Sequence, residues 1–277
     1  MHCSSRLFWL FRAALALCCV ALLAACASTT QSGQVGVKRK QLMLVSAQEV
    51  DQMAAKAYQG ELQKAQKAKA LNTNMPVVRR VRAIAARLIP HVKTFRADAL
   101  QWRWEVNVID SKELNAWCMQ GGRMAVYTGL IDTLKLTDDE LAAILGHEMS
   151  HALREHSREQ ISQSVATQMG VNIGASLLGL GALGGDLINT GAQLMLTLPN
   201  SRSAEQEADR MGVELAARAG YDPRAAINVW KKMALQSQGA RQPEWLSTHP
   251  SPAKRTEDLS RYAQQVMPLY LQAKGRR

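Results

Sequence analysis

Two histidines four residues apart, with a glutamate directly after the first, occupy His147-Glu148-Met149-Ser150-His151. On a helix the two imidazoles stand one turn apart on a single face, and both reach a metal ion at about 2.0–2.1 Å. Glu148 lies one position round the helix. There it is poorly placed as a third ligand and well placed to take a proton from an attacking water. The pattern is short enough to arise by chance, so its surroundings decide its meaning.

A catalytic zinc site takes three protein ligands and keeps one position for water. Glu155 is eight residues from His147, about 12 Å of helical rise, and cannot converge with both histidines. His156 is expected on the other side of the helix from His147. The longer H-E-x-x-H-x-x-G-x-x-H pattern is excluded, because Arg154 and Ser157 stand where it needs glycine and histidine. The best remaining third ligand is Glu205, in Ser201-Arg202-Ser203-Ala204-Glu205-Gln206-Glu207-Ala208-Asp209. Asp209 follows four residues later, so one helix presents a ligand and a carboxylate that receives the second N–H of a ligating histidine. Glu207 is expected to face away from both. His249 lies in Ser247-Thr248-His249-Pro250-Ser251-Pro252, a proline-stiffened loop where a histidine has no packing task.

The elements that must position these groups are marked locally. Thr137-Asp138-Asp139-Glu140 is a capping box, and the helix it opens is expected to run through both histidines to about Gln160. Trp104 to Ile109 and Met124 to Thr128 read as strands. Gly121-Gly122, just before the second strand, allows close approach of backbone or ligand. Further helices are expected over Ser46 to Leu71, Val77 to Ile89 with Pro90 as its stop, Ser203 to Ala219 with Gly220 as its stop, Asp222 to Gln236 and Glu257 to Leu271. Gln160 to Gly185 holds no charged residue and reads as a buried or lid-forming helical hairpin; Gln163, Gln168, Asn172 and its glycines make it a poor membrane span.

The first 25 residues are expected to be a signal peptide: Arg6 and Arg12 form a positive leader, and Ala13 to Leu23 is small and apolar throughout. Leu23-Ala24-Ala25-Cys26 resembles a bacterial lipobox, which implies cleavage before Cys26 and its lipidation; Ala27 after the cysteine favours the outer membrane. Ala27 to Val37 reads as a flexible tether, and residues 38–277 as the folded domain. Of five cysteines only Cys118 remains beyond the leader and the lipid site, which forbids an intramolecular disulfide. The chain carries a net charge of +11, but its basic residues are scattered over helices without a basic strand studded with aromatics. Nucleic acid is therefore not an expected partner.

Together H-E-M-S-H, S-R-S-A-E-Q-E-A-D and S-T-H-P-S-P-A-K-R resemble the zinc metallopeptidases related to HtpX and the CAAX prenyl proteases, in particular their periplasmic lipoprotein branch, which includes LoiP and BepA. The resemblance implies a single α+β, zincin-like (gluzincin) domain, mostly helical with a small mixed sheet. It implies one Zn2+ held by His147, His151 and Glu205, with Glu148 as general base and Asp209 behind the ligands. It implies that Asn115-Ala116 and Gly121-Gly122 bracket an edge strand on which an extended substrate pairs; members often carry Pro-Gly-Gly where this chain has Gln120-Gly121-Gly122. His249 is expected either to close on the metal as a fourth ligand or to stabilise the oxyanion. Protein or peptide substrates, particularly misfolded envelope proteins, and outer-membrane assembly partners are the implied company, on the periplasmic side of the outer membrane. The rival expectation is a client-binding, chaperone-like lipoprotein with a plugged metal site.

Overall fold

The computed structural model describes residues 26–177, 198–236, 244–250 and 255–275. Strands β1 (Cys26–Ala27) and β2 (Gln41–Leu42) pair antiparallel ahead of helix α1 (Ala47–Lys67). Ser46 and Glu49 close a capping box at the start of α1. Helix α2 (Met75–Leu88) buries Val78, Val81, Ile84, Ala85 and Leu88 along one face. Pro90 follows and the chain tightens into two 3-10 turns, Ile89–Thr94 and Ala97–Gln101.

A three-stranded mixed sheet comes next, made of β3 (Glu105–Ile109), β4 (Ala116–Met119) and β5 (Arg123–Tyr127). The central strand β5 runs parallel to β3, with Val106 opposite Met124, and antiparallel to β4, with Trp117 opposite Ala125. β4 therefore ends the sheet on one side. After it come α3 (Thr128–Thr133), α4 (Asp138–Leu153), α5 (His156–Leu177), α6 (Arg202–Arg218), α7 (Ala225–Gln236), α8 (Glu244–Thr248) and α9 (Arg255–Gly275). Every residue of α4 from Glu140 to Leu153 is buried, because α2, α6, α7 and β4 surround it. The domain is α+β, mostly helical, with its core wrapped round the helix that carries the H-E-x-x-H residues.

Two expectations need correction. The active-site helix does not continue to Gln160: α4 stops at Leu153, Glu155 takes the left-handed conformation (φ 54°), and α5 starts afresh at His156. That conformation is unfavourable for a residue with a side chain. It is held because the buried Glu155 carboxylate pairs with Arg96 and with Arg158 (2.7 Å), while Arg154 is drawn fully into the interior.

The second correction concerns the tether. Residues 27–37 are not slack: Val35 and Val37 are buried in the core, the Gln31 N–H donates to the Phe95 carbonyl, and Gly33 (φ 59°) lies so close to the Phe95 ring that no side chain would fit. Composition misled here because the polar hydroxyls that suggest a linker are used as hydrogen-bonding groups against Arg154. The leader (residues 1–25) and the rest of the expected hairpin beyond Leu177 lie outside the described residues. Among those residues no helix is long and apolar enough to cross a membrane.

Candidate metal centre

The centre is built where α4 and α6 touch backbone to backbone. A Cβ on Gly146 would lie 2.8 Å from the Gly212 carbonyl oxygen, and one on Gly212 would lie 2.7 Å from the His147 nitrogen. Neither helix could approach so closely with alanine at these positions. The crossing fixes the histidines of α4 against Glu205 and Asp209 of α6, whose N-terminus is capped by Ser201.

Ligand-type atoms of His147, His151, Glu205 and His249 all lie within 4.8 Å of one another, and all four residues are buried. His147 Nε2 and His151 Nε2 are 3.0 Å apart; Glu205 Oε1 is 3.2 Å from His151 Nε2, and Glu205 Oε2 is 3.6 Å from His147 Nε2. Tetrahedral ligands at about 2.0–2.1 Å from zinc stand about 3.3 Å apart, so these separations suit the ion. Glu205 Oε1 is buried without a hydrogen-bond partner, which is costly for a carboxylate unless a cation completes it. The donor set and its geometry fit a zinc ion.

Neighbouring groups fix which atoms are free to ligate. Asp209 Oδ1 lies 3.0 Å from His147 Nδ1, so the ring turns its other nitrogen, Nε2, toward His151 and Glu205. Burial disfavours charge on His147, but Asp209 and Glu205 outweigh it and raise its pKa. Burial, reinforced by neighbouring positive groups, pushes His151 well below the ordinary histidine value, and burial does the same for His249. Neutral imidazole is the ligand form. Burial would raise the Glu205 pKa, yet the surrounding histidines and Arg255 hold it below the usual carboxylate range.

Glu148 is buried beside the ligands, and burial raises its pKa to about 7. Trp245 of α8 donates from Nε1 to Glu148 Oε1 at 2.7 Å, and its ring stacks on both Trp230 and His249. His249 Nε2 is 3.5 Å from Glu148 Oε1, and its Nδ1 faces the Trp245 carbonyl at 3.0 Å. The loop histidine is thus buried on the ligand cluster.

A cleft opens from this cluster, lined by Asn115 to Met119, Glu148, His151, Ser157, Asn200 and His249. The Tyr127 N–H donates to the Asn115 carbonyl, so Asn115 and Trp117 face β5 and the backbone groups of Ala116 and Cys118 face the open edge. Asn115 and Ala116 therefore belong to the cleft. Gly121 (φ 82°) and Gly122 (φ 85°) do not line it; they form the turn between β4 and β5, packed against Arg123, Asp51 and the Trp104 ring. Cys118 is a buried free thiol, its pKa pushed up by burial, and it has no nucleophile's setting.

Three contributors were not legible beforehand. Arg255, at the end of the third motif, binds Glu205 Oε2 at 2.8 Å and Asp209 Oδ1 at 2.7 Å while its guanidinium lies 3.5 Å over the Trp230 ring. Two buried carboxylates four apart require a cation, and that requirement is the signal pointing to it. Trp245 carried no signal. His156, expected on the far side of a continuous helix, instead meets His151 with Nδ1 to Nδ1 at 2.9 Å, because the chain breaks at Arg154-Glu155.

The sequence model described as peptidase family M48 matches residues 77–263. The mitochondrial metalloendopeptidase OMA1 of Arabidopsis thaliana is 37% identical over 170 residues, covering 61% of this chain and 33% of the plant protein. OMA1 of Schizosaccharomyces pombe is 37% identical over 162 residues, covering 58% of this chain and 47% of its own. The beta-barrel assembly-enhancing protease of Escherichia coli (strain K12) is 30% identical over 207 residues, covering 70% of this chain and 40% of its own. The chain thus spans about a third to a half of the length of these curated relatives.

Proposed function

Because this chain belongs to peptidase family M48, we propose that it is a zinc-dependent endopeptidase that hydrolyses peptide bonds in extended protein segments. The observation that carries this reading is the convergence of His147, His151 and Glu205 on one point, with Glu148 buried beside them and the free edge of β4 in the same cleft. A binding protein would have no use for the base.

Zinc bound there supplies a Lewis acid for the scissile carbonyl and a lowered pKa for the attacking water. Glu148 accepts the proton of that water and hands it to the leaving amine; a carboxylate raised to about 7 exchanges protons readily near neutral pH. Ala116 and Cys118 offer backbone N–H and C=O groups for pairing with an extended substrate, which recognises main chain rather than side-chain sequence. His249, standing within the ligand cluster, closes the position that water needs, so turnover requires it to withdraw.

We also assign the protein to the periplasmic side of the outer membrane, lipid-anchored at Cys26, in the lipoprotein branch typified by LoiP and BepA. Its clients would be misfolded or unassembled envelope proteins, with outer-membrane assembly factors as partners. The relatives divide between mitochondrial and bacterial proteins, and the name of the bacterial one refers to β-barrel assembly; Leu23-Ala24-Ala25-Cys26 favours the bacterial envelope. Labelled fatty acid should enter the wild-type chain and be lost in Cys26→Ser; equal labelling overturns the anchor.

The central test compares wild type with Glu148→Gln on casein, with zinc content measured alongside. The substitution is expected to lower cleavage about 10²–10⁴-fold with zinc retained. Equal cleavage by both would overturn Glu148 as the base. Zinc in both with negligible cleavage by either would favour the client-binding lipoprotein with a plugged site.

A further inference from the structure

We propose that His156 is a positioning residue for the metal ligand His151, and that it is held by a buried relay ending on the N-terminal strap, residues 28–41. The proposal rests on the zinc site of the preceding subsection and adds a second layer of residues to it.

The relay follows from where each proton must sit. His151 Nε2 faces His147 Nε2 and Glu205 Oε1, so as a ligand it offers a lone pair and its proton lies on Nδ1. That Nδ1–H meets His156 Nδ1 at 2.9 Å, which must then accept. The remaining His156 proton is on Nε2, 3.2 Å from Glu207 Oε2, a charged acceptor. Every donor has one acceptor, and the carboxylate at the end polarises both bonds toward the metal ligand.

Glu207 is itself clamped. Arg154 reaches it with Nε at 3.2 Å and Nη2 at 3.1 Å, and Arg39 of the strap adds Nη2 at 2.9 Å. Arg154 is fully buried and continues outward to the Ser28 hydroxyl and the Arg39 carbonyl, while its own carbonyl accepts from Thr29 Oγ1 at 3.0 Å and Gln41 Nε2 at 2.8 Å. The strap thus completes the end of α4. A docking site for the strap alone would need only Arg154 and Glu207; a histidine interposed between Glu207 and a metal ligand has no role in such docking. The consequence is that disturbance near the N-terminus reaches the metal without touching it.

The test measures zinc affinity by competition with a chromophoric chelator, the visible spectrum of the Co2+-substituted protein, and the melting temperature of the metal-free chain. His156→Leu is expected to weaken zinc about 10–100-fold and to alter the cobalt bands, with the metal-free melting temperature close to that of wild type. His156→Asn, which restores an acceptor to His151 Nδ1, is expected to recover most of the affinity. Arg39→Met, at a half-exposed position on the strap, is expected to weaken zinc about threefold. Unchanged zinc affinity and cobalt spectrum in folded His156→Leu overturn the positioning role, and no change in Arg39→Met overturns the strap's part in it. If His156→Leu does not fold, Glu207→Gln decides, with a severalfold loss supporting the relay and unchanged affinity overturning it. A wild-type chain that binds no zinc would instead overturn the metal site itself.

Discussion

The α4–α6 crossing and the α8 segment both deliver groups to the same centre, but they are held in different ways. At the crossing, two glycines bring backbones into direct contact, and the places of the candidate ligands His147, His151 and Glu205 follow from the position of whole helices. At residues 244–250, Trp245 and His249 are held by ring stacking and individual hydrogen bonds: Trp245 to Glu148, its backbone N–H to the Leu114 carbonyl, and the Asn200 N–H to the Thr248 carbonyl. Close packing resists displacement because backbone atoms cannot give way. A few hydrogen bonds of about 1 kcal/mol each can be exchanged for others. The difference teaches that backbone contact places the helices of the candidate cluster, whereas His249 is placed by side-chain packing on one short helix, with the buried Trp245 as its anchor.

The comparison breaks first at the crossing. Gly212→Ala should destabilise the protein by about 1–3 kcal/mol, since the new methyl meets the His147 backbone; at an exposed helical site the same change would stabilise by about 1 kcal/mol. Denaturant unfolding of the metal-free chain checks it, and a stabilised variant would mean the helices are not in contact as described. On the other region, His249→Ala should raise turnover about tenfold, roughly 1.4 kcal/mol, with zinc content unchanged. Lost turnover would instead assign His249 to oxyanion stabilisation.

The smallest effect is expected from Trp245→Phe, which keeps the stacking ring and removes one donor. The Trp245 hydrogen bond favours ionised Glu148. Its loss should therefore raise that pKa, leave less base at a given acidic pH, and move the acid limb of kcat/KM toward higher pH, by less than one unit and with a severalfold fall below the limb. A limb that stays in place would separate α8 from the chemistry.

Much of the site could be read from local pattern. His147, Glu148 and His151 share a helix whose capping box is formed by Thr137 and Glu140, and Glu205 and Asp209 share a helix face because they are four apart. Helical spacing is a property of neighbours in sequence, so it shows in the sequence. The strand β4 is too short to alternate visibly and was implied only by resemblance. The break at Arg154-Glu155 was missed because helical period carried through it; it depends on Arg154 being satisfied by Glu207 and by a strap more than a hundred residues earlier.

What the sequence determined by itself, then, is the chemistry: an H-E-x-x-H helix, an acidic helix to complete it, and a histidine loop. Tertiary structure alone decided that Gly146 meets Gly212, that Arg255 binds the carboxylates, that His156 turns back onto His151, and that the supposed tether is a strap. The physical reason is the range of the interactions. Caps and helical faces are set within a few residues, whereas buried charges and touching backbones find partners only when distant segments have packed.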